Sequence, residues 1–141
     1  MNAEPESIMV VDDDLVVAQL LTRMLKMDGY AVVTAANGRE ALEKFQGETA
    51  VTLIISDLNM PEMNGHEFIR AVRAAGSDVP IIVLSAANDI PIALEAMNHG
   101  ANDYVPKDQN LRKALMISVE RVLAQRRQDL KNWQFMADIA R

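Results

Sequence analysis

The residues best suited to chemistry are aspartates that follow short apolar runs. Asp12 and Asp13 come after the run 8–11, and Asp57 comes after the run 51–55. If both runs are parallel strands, their carboxyl ends meet at one edge of the sheet and three carboxylates share a pocket. Such crowding of like charges is unfavourable unless a cation neutralises it, and oxygen ligands with room for water suit Mg²⁺. The pattern therefore predicts a divalent-metal site.

A hydroxyl and an amine extend this set toward phosphoryl chemistry. Ser85 follows the run 81–84, and Lys107 follows the short run 104–105. A transferred phosphoryl group has three equatorial oxygens. A metal can take one, the Lys107 ammonium a second, and the Ser85 hydroxyl with backbone N–H groups the third. Asp57 is then the candidate nucleophile, because a carboxylate beside a metal can attack phosphorus.

The positions of these residues depend on five apolar runs that alternate with segments of helical spacing. Short, mainly apolar runs of this length are typical of strands buried on both faces of a parallel sheet. Strand–helix alternation repeated five times predicts a doubly wound α/β fold with a five-stranded parallel sheet of flavodoxin-like order 2-1-3-4-5. The predicted strands are 8–11, 31–34, 51–55, 81–84 and 104–105.

Several residues at the ends of these elements predict local geometry. Asp14 suits the N-cap of the first helix, and Asn64-Gly65 predicts a tight turn with positive φ. Pro80 and Pro106 are expected to mark strand ends. Glycines are expected to end helices in the left-handed conformation, at Gly29, Gly47, Gly76 and Gly100.

Composition excludes several classes of function. The chain has 141 residues, 14 basic against 20 acidic residues, a formal charge of −6 and no cysteine. Disulfide scaffolds, thiolate zinc sites and cysteine nucleophiles are therefore excluded, and most of the surface would repel nucleic acid. His66 and His99 are interpreted as isolated surface residues, which leaves oxygen ligands as the expected metal donors. We find no apolar stretch long enough for a membrane span and no signal-peptide pattern, so we expect a cytoplasmic protein.

The segment from Asn110 onward reads as one long helix. Its apolar face should close the domain through residues such as Leu115 and Val119, yet the apolar row continues past them to Leu130 and Trp133. Residues 111–141 also carry seven basic and three acidic side chains. The extension is interpreted either as a solvated end or as a connector or dimer helix, and the sequence favours neither.

Four strings in order resemble the receiver domain of two-component response regulators, the CheY-like family. The resemblance covers roughly residues 6–127. It predicts a disordered N-terminus at 1–6, a receiver domain at 7–127 and a helical extension or linker at 128–141. The strings that carry it are 10–14 (VVDDD), 56–65 (SDLNMPEMNG), 84–86 (LSA) and 103–107 (DYVPK).

The resemblance implies a role for each residue of the pocket. Asp57 would be the phospho-acceptor, which receives a phosphoryl group from a histidine kinase or a histidine phosphotransfer protein. Asp12, Asp13 and Asp57 would bind Mg²⁺ together with the backbone carbonyl of Asn59. Lys107 would contact the phosphate. The protein would not be an enzyme beyond assisting its own phosphorylation and dephosphorylation.

The resemblance also implies a conformational switch. Ser85 would be the switch hydroxyl and Tyr104 the switch aromatic, and the change would control an output domain or partner. An alternative is a degenerate receiver that acts as an interaction or dimerisation module without phosphorylation, and the C-terminal helix could support a homodimer. An aspartyl-phosphate hydrolase would need a second acid one turn from the nucleophile, which Asp57-Leu58-Asn59 lacks, and a substrate-covering cap, for which 141 residues leave little room.

One departure from the family pattern concerns the last loop. Family members usually have a proline directly after the lysine, in a cis peptide, whereas this chain has Asp108 there and Pro106 before the lysine. Because cis peptides are rare without proline, the bond between Lys107 and Asp108 is expected to be trans.

Overall fold

The unbroken apolar runs form the centre of a parallel sheet. The computed structural model describes residues 5–47, 50–86 and 88–140. Its strands are paired in parallel in the order β2-β1-β3-β4-β5, which confirms the predicted doubly wound fold. The strands are β1 (Ser7–Val11), β2 (Ala31–Ala35), β3 (Leu53–Asp57), β4 (Ile81–Ala86) and β5 (Asp103–Lys107).

Helices cover both faces of this sheet. Alternate strand residues point to opposite faces, so Ile8 and Val10 pack under α1 and α5, whereas Met9 and Val11 pack under α2, α3 and α4. Every residue of β3 is buried, as expected for a central strand covered on both sides. The helices are α1 (Leu15–Met27), α2 (Gly38–Gln46), α3 (Gly65–Ala74), α4 (Ile90–His99) and α5 (Leu111–Ile139).

The strands extend beyond the predicted apolar runs at their carboxyl ends. β4 continues to Ala86 and β5 to Lys107, so Ser85 and Pro106 lie inside strands and pair with each other in the ladder. The expectation that Pro106 marks a strand end is therefore wrong. A proline is tolerated there because β5 is the edge strand of the sheet.

Helix ends follow the predictions in part. Asp14 caps α1 through its side chain, and the glycines at 29, 76 and 100 have positive φ. Gly47 has φ −79°, so the left-handed cap predicted there is wrong. The positive-φ turn predicted at Asn64-Gly65 is also wrong, because Asn64 is the N-cap of α3 and forms a reciprocal capping box with Glu67.

The long helix α5 has two different halves. Its first half buries residues such as Leu115, Val119 and Leu123 against the sheet, whereas every residue from 128 to 140 is exposed. Arg127 lies at the boundary and forms an ion pair with Glu6. Of the segment 1–6 that was expected to be disordered, residues 1–4 lie outside the described residues. In the part of the chain that the structure describes, no helix combines the length and apolar character that a membrane span requires.

Candidate functional site

Three charged side chains converge at the carboxyl edge of the sheet. Asp12 follows β1, Asp57 ends β3 and Lys107 ends β5. The Lys107 Nζ lies 3.1 Å from Asp12 Oδ2 and 3.1 Å from Asp57 Oδ2. β1 and β3 are neighbours, and the long lysine side chain spans the distance from β5 past β4. The structure thus brings these three predicted residues together.

Backbone N–H groups hold the other oxygen of each carboxylate. Asp57 Oδ1 accepts hydrogen bonds from the N–H of Leu58 at 2.8 Å and of Asn59 at 3.4 Å. Asp12 Oδ1 accepts one from the N–H of Asp14 at 2.9 Å. Each carboxylate therefore has one oxygen held by the backbone of its own loop and one directed toward Lys107.

A glycine eight residues after Asp57 allows its loop to close. The Gly65 N–H donates to the carbonyl of Leu58 at 3.0 Å. A Cβ at Gly65 would lie 2.6 Å from the Asp57 carbonyl oxygen and 2.7 Å from the Leu58 Cα. Sequence reasoning assigned this glycine to a positive-φ turn, whereas the structure requires it for close backbone approach.

The electrostatics of the pocket reflect burial and crowding. The Asp12 side chain is fully buried, and this burial raises the pKa of Asp12, with a further contribution from the charge of Asp57. Burial by itself lowers the pKa of Lys107, but the negative charges of Asp57 and Asp12 outweigh it, and the pKa of Lys107 is raised. The ammonium is therefore charged at neutral pH, and Asp12 is the carboxyl group whose charged form is disfavoured by burial.

The donor set fits a hard divalent cation. Asp12, Asp13 and Asp57 each offer a carboxylate oxygen, and these oxygens lie within 4.8 Å of one another. Asp13 is exposed, so water can complete the coordination, as Mg²⁺ prefers. Asn59, whose carbonyl was predicted as a further ligand, follows β3 in the same loop and lines the same cavity.

An open cavity of about 790 Å³ contains this cluster. The buried Ser85 side chain and Lys107 line it together with Asp57. The cavity gives room for a tetrahedral anion beside the carboxylate of Asp57. Hydroxyl, ammonium and backbone N–H groups are the donors that such an anion requires.

Comparison with known proteins identifies the family. A family model described as the response regulator receiver domain matches residues 8–119. The chain belongs to this family. Receiver domains are signalling domains, and the match spans all five strands except Ser7, together with the first part of α5.

Relatives of this receiver are longer proteins. The response regulator MprA of Mycolicibacterium vanbaalenii is 38% identical over 111 residues, which cover 79% of this chain and 48% of MprA. A protein-glutamate methylesterase/protein-glutamine glutaminase of Nocardioides sp. is 42% identical over 108 residues, which cover 74% of this chain and 29% of that protein. The chain therefore spans about half, or less, of the length of these relatives.

A solved receiver structure has the same architecture. The chemotaxis response regulator CheY4 of Vibrio cholerae is 36% identical and superposes with a TM-score of 0.76. The alignment covers 84% of this chain and 98% of CheY4. The agreement supports the predicted CheY-like fold over nearly the whole of a known receiver.

Tyr104, the predicted switch aromatic of this receiver, lies apart from Asp57. Tyr104 is half-buried against the apolar cluster under α2, α3 and α4, and it lines a separate groove with Pro106 and Ile117. The structure thus does not bring Tyr104 into the Asp57 cavity.

None of the peptide bonds between described residues is cis, so the bond between Lys107 and Asp108 is trans, as predicted.

The two histidines of the receiver are not isolated, contrary to the sequence interpretation. The rings of His66 and His99 lie edge to face with centroids 5.6 Å apart, and His99 Nε2 is 3.6 Å from Glu95 Oε1. The spacing of Glu95 and His99, four residues apart on a predicted helix, was a usable signal. The contact with His66 was not predictable because it depends on how α3 packs against α4.

Proposed function

We propose that this receiver accepts a phosphoryl group on Asp57 from a histidine kinase or a histidine phosphotransfer protein. The observation that carries this proposal is the convergence of Lys107 Nζ on Asp57 and Asp12, at 3.1 Å from each. An ammonium in this position neutralises the acceptor before the reaction and contacts the phosphoryl oxygens after it. The family shown by the comparison supports the same assignment.

The chemical step is a transfer between a donor nitrogen and a carboxylate oxygen. A carboxylate oxygen of Asp57 attacks phosphorus, the P–N bond of the donor phosphohistidine breaks, and its electron pair stays on the imidazole, which takes up a proton. The product is an aspartyl phosphate. The N–H groups of Leu58 and Asn59 keep the Asp57 side chain oriented during this step, and Lys107 stabilises the added negative charge.

Asp12, Asp13, Asp57 and the Asn59 carbonyl are proposed to hold Mg²⁺. When bound, the cation supplies positive charge that offsets the carboxylates and the transferred phosphoryl group. Support comes from the oxygen-only donor set and from the surroundings of Asp12, whose pKa is raised by burial and by the nearby charge of Asp57. The carboxylates of Asp12 and Asp57 keep their positions through hydrogen bonds from the backbone of their own loops.

We propose that Ser85 and Tyr104 transmit the phosphorylation state. Val83, which pairs with Tyr104 in the ladder, precedes Ser85 by two residues, so both switch residues lie on the sheet face covered by α4. A phosphoryl group on Asp57 would attract the Ser85 hydroxyl, and the space left would admit the Tyr104 ring. The shift in population between the two arrangements would then alter the surface around α4 and β5.

The output of the switch is proposed to be a separate domain or partner protein. The receiver domain is proposed to span residues 7–127, with 128–141 as a helical extension or linker. The exposed apolar side chains of Leu130, Trp133 and Phe135 support a role for this extension in a homodimer or a connector. The negative net charge argues against direct nucleic-acid contact, and we expect a cytoplasmic location and no catalysis beyond the domain's own phosphorylation and dephosphorylation.

The acceptor is tested by intact-mass analysis with a small phosphodonor such as phosphoramidate. We expect the wild type to gain one phosphoryl group in Mg²⁺ and none in chelator, and Asp57→Asn to gain none. Asp28→Asn, an exposed aspartate at the end of α1, is the matched control and should be labelled like the wild type. Persistent labelling of Asp57→Asn would contradict the assignment of the acceptor.

The switch is tested separately with beryllofluoride, which mimics the phosphoryl group. Amide spectra should shift around Ser85, Tyr104 and Lys107 in the wild type and not in Asp57→Asn, and sedimentation would report any coupled dimerisation. Lys107→Ala should retain part of the labelling and lose most of the spectral response. If the wild type shows neither labelling nor a response, the phosphorylation-independent interaction module is the better description.

A further inference from the structure

We propose that His66, Glu95 and His99 form a second metal site, which binds a transition-metal dication such as Zn²⁺ between α3 and α4. The three side chains offer two imidazole nitrogens and one carboxylate oxygen, and these ligand atoms lie within 4.8 Å of one another. The site is distinct from the acidic cluster in its residues, in the elements that supply them and in its ligand chemistry.

The backbone places the three ligands without rearrangement of the fold. Glu95 and His99 are four residues apart on α4 and therefore project from the same face, with His99 Nε2 at 3.6 Å from Glu95 Oε1. His66 is the second residue of α3. Zinc–nitrogen bonds of about 2.0–2.1 Å place tetrahedral ligand atoms about 3.3 Å apart. The Glu95–His99 pair is already near that separation, and rotation of the His66 side chain would close the remaining distance.

The neighbouring end of α4 is held firmly in place. Arg73, on α3, donates from Nε at 3.2 Å and from one terminal nitrogen at 2.8 Å to the carbonyl of Gly100, the residue after His99. The same guanidinium donates to the carbonyl of Val79 at 2.7 Å. The relative position of α3 and α4 is therefore fixed close to the cluster, and pre-positioned ligands bind metal with less loss of conformational entropy.

A ring nitrogen of His66 provides an independent indication. His66 Nδ1 is buried and has no hydrogen-bond partner among the described residues. Buried polar atoms are nearly always satisfied, so an exception points to a missing ligand or a functional role.

The donor types select the metal. Two imidazoles and one carboxylate suit Zn²⁺, Co²⁺, Ni²⁺ or Cu²⁺, whereas Mg²⁺ prefers oxygen ligands and retains water. Three protein ligands leave at least one coordination position open. His66 and Glu95 also line the cavity that contains Asp57, so this position can be filled by water from the cavity.

The test uses the fact that the chain contains two histidines. Zn²⁺ is titrated into the full chain in excess Mg²⁺, which occupies the acidic cluster, while the imidazole proton resonances and the melting temperature are recorded. We expect the resonances of both histidines to shift along one common curve that is complete at one equivalent of Zn²⁺, and the melting temperature to rise. His99→Gln and Glu95→Gln should each weaken Zn²⁺ binding at least about tenfold, since loss of even an outer-shell partner can cost that much.

Two controls make the result decisive. Glu43→Gln, an exposed glutamate on α2, and Asp57→Asn should both keep the wild-type Zn²⁺ midpoint. Circular dichroism confirms that each variant is folded, and His66→Gln provides a second ligand variant from the other helix. The proposal is overturned if only one histidine shifts, if the midpoint is unchanged in the ligand variants, or if Asp57→Asn abolishes binding, which would place Zn²⁺ in the acidic cluster.

Discussion

Two clusters of side chains that could hold a metal ion border one cavity, and they are built in different ways. The acidic cluster, Asp12, Asp13 and Asp57, stands on strand ends and their loops, whose relative positions are set by the hydrogen-bond ladder between β1 and β3. The histidine cluster, His66, Glu95 and His99, stands on two helices whose relative position is set by side-chain packing and by Arg73. Backbone pairing thus fixes the first cluster, and side-chain contacts fix the second.

The largest expected effect comes from Gly65→Ala, because Gly65 supports both clusters. The added Cβ would lie 2.6 Å from the Asp57 carbonyl oxygen, and the residue directly precedes His66. Overpacking of this kind typically costs about 1–3 kcal/mol, and here we expect the upper end because backbone rather than a flexible side chain must move. Chemical denaturation should show this loss, and phosphodonor labelling of Asp57 should fall sharply.

Gly47→Ala is the matched control for this change. Gly47 has φ −79°, which any residue adopts, and a Cβ there would contact the Lys44 carbonyl oxygen at 3.4 Å. We expect a change in unfolding free energy within about 0.5 kcal/mol and normal labelling. Equal effects of the two substitutions would show that close approach at the acceptor loop is unimportant.

The difference between the clusters explains what could be predicted from the sequence. Apolar runs predict buried strands, strand–helix alternation predicts their order, and the order places Asp12, Asp57 and Lys107 at one edge. None of these steps requires knowledge of side-chain packing. The contact of Lys107 with Asp57 also follows from the strand order, because a lysine side chain is long enough to cross the one strand, β4, that lies between them.

The features that escaped prediction depend on contacts between segments. Gly65 was assigned to a turn because its close approach to Asp57 is a tertiary contact that local sequence does not report. Gly47 was assigned a left-handed cap from its residue type alone. His66 and His99 were interpreted as isolated because residues 33 positions apart in the chain meet only through the packing of α3 on α4.

Arg73→Met should have the next largest effect on stability. It tests whether the acidic cluster is independent of the packing between α3 and α4. The change removes the donors to the carbonyls of Gly100 and Val79 and keeps most of the apolar stem. Hydrogen bonds from charged groups are typically worth about 1.5–3 kcal/mol, so we expect a loss of about 2 kcal/mol in the free energy of unfolding. Labelling of Asp57 should be retained in the folded variant, because the ladder between β1 and β3 is untouched.

Arg70→Met is the control on the same helix. Arg70 is exposed, and the substitution should change the unfolding free energy by no more than about 0.5 kcal/mol. If Arg73→Met abolished labelling of Asp57 while the protein stayed folded, the acceptor pocket would depend on helix packing as the histidine cluster does. The contrast between a cluster fixed by backbone pairing and a cluster fixed by side-chain contacts would then no longer hold.

Asp12→Asn should stabilise the metal-free protein. The raised pKa of Asp12 means that the folded state favours the neutral side chain, and asparagine can still accept the Asp14 N–H. We expect a gain on the order of 1 kcal/mol in chelator, a common size for a single substitution, and a smaller rise in melting temperature on addition of Mg²⁺ than in the wild type. Asp14→Asn, also a good N-cap, is the control, and a less stable Asp12→Asn in chelator would contradict the argument.

The smallest effect is a difference in pH dependence between the clusters, measured in chelator. Burial lowers the pKa of His66, so the unfolded chain takes up its proton first as the pH falls below about 6.5, and stability is lost over that range. The raised pKa of Asp12 acts in the opposite direction, because the folded state takes up that proton first and gains stability as the pH falls toward about 3.9.

His66→Gln should therefore flatten the loss of stability between about pH 7 and pH 5, whereas Asp12→Asn should remove the opposing gain at lower pH. Urea denaturation at a series of pH values measures both. His99→Gln is the comparison variant from the same cluster. If His66→Gln kept the full wild-type slope below pH 6.5, burial of the His66 imidazole would not be the cause of that loss of stability.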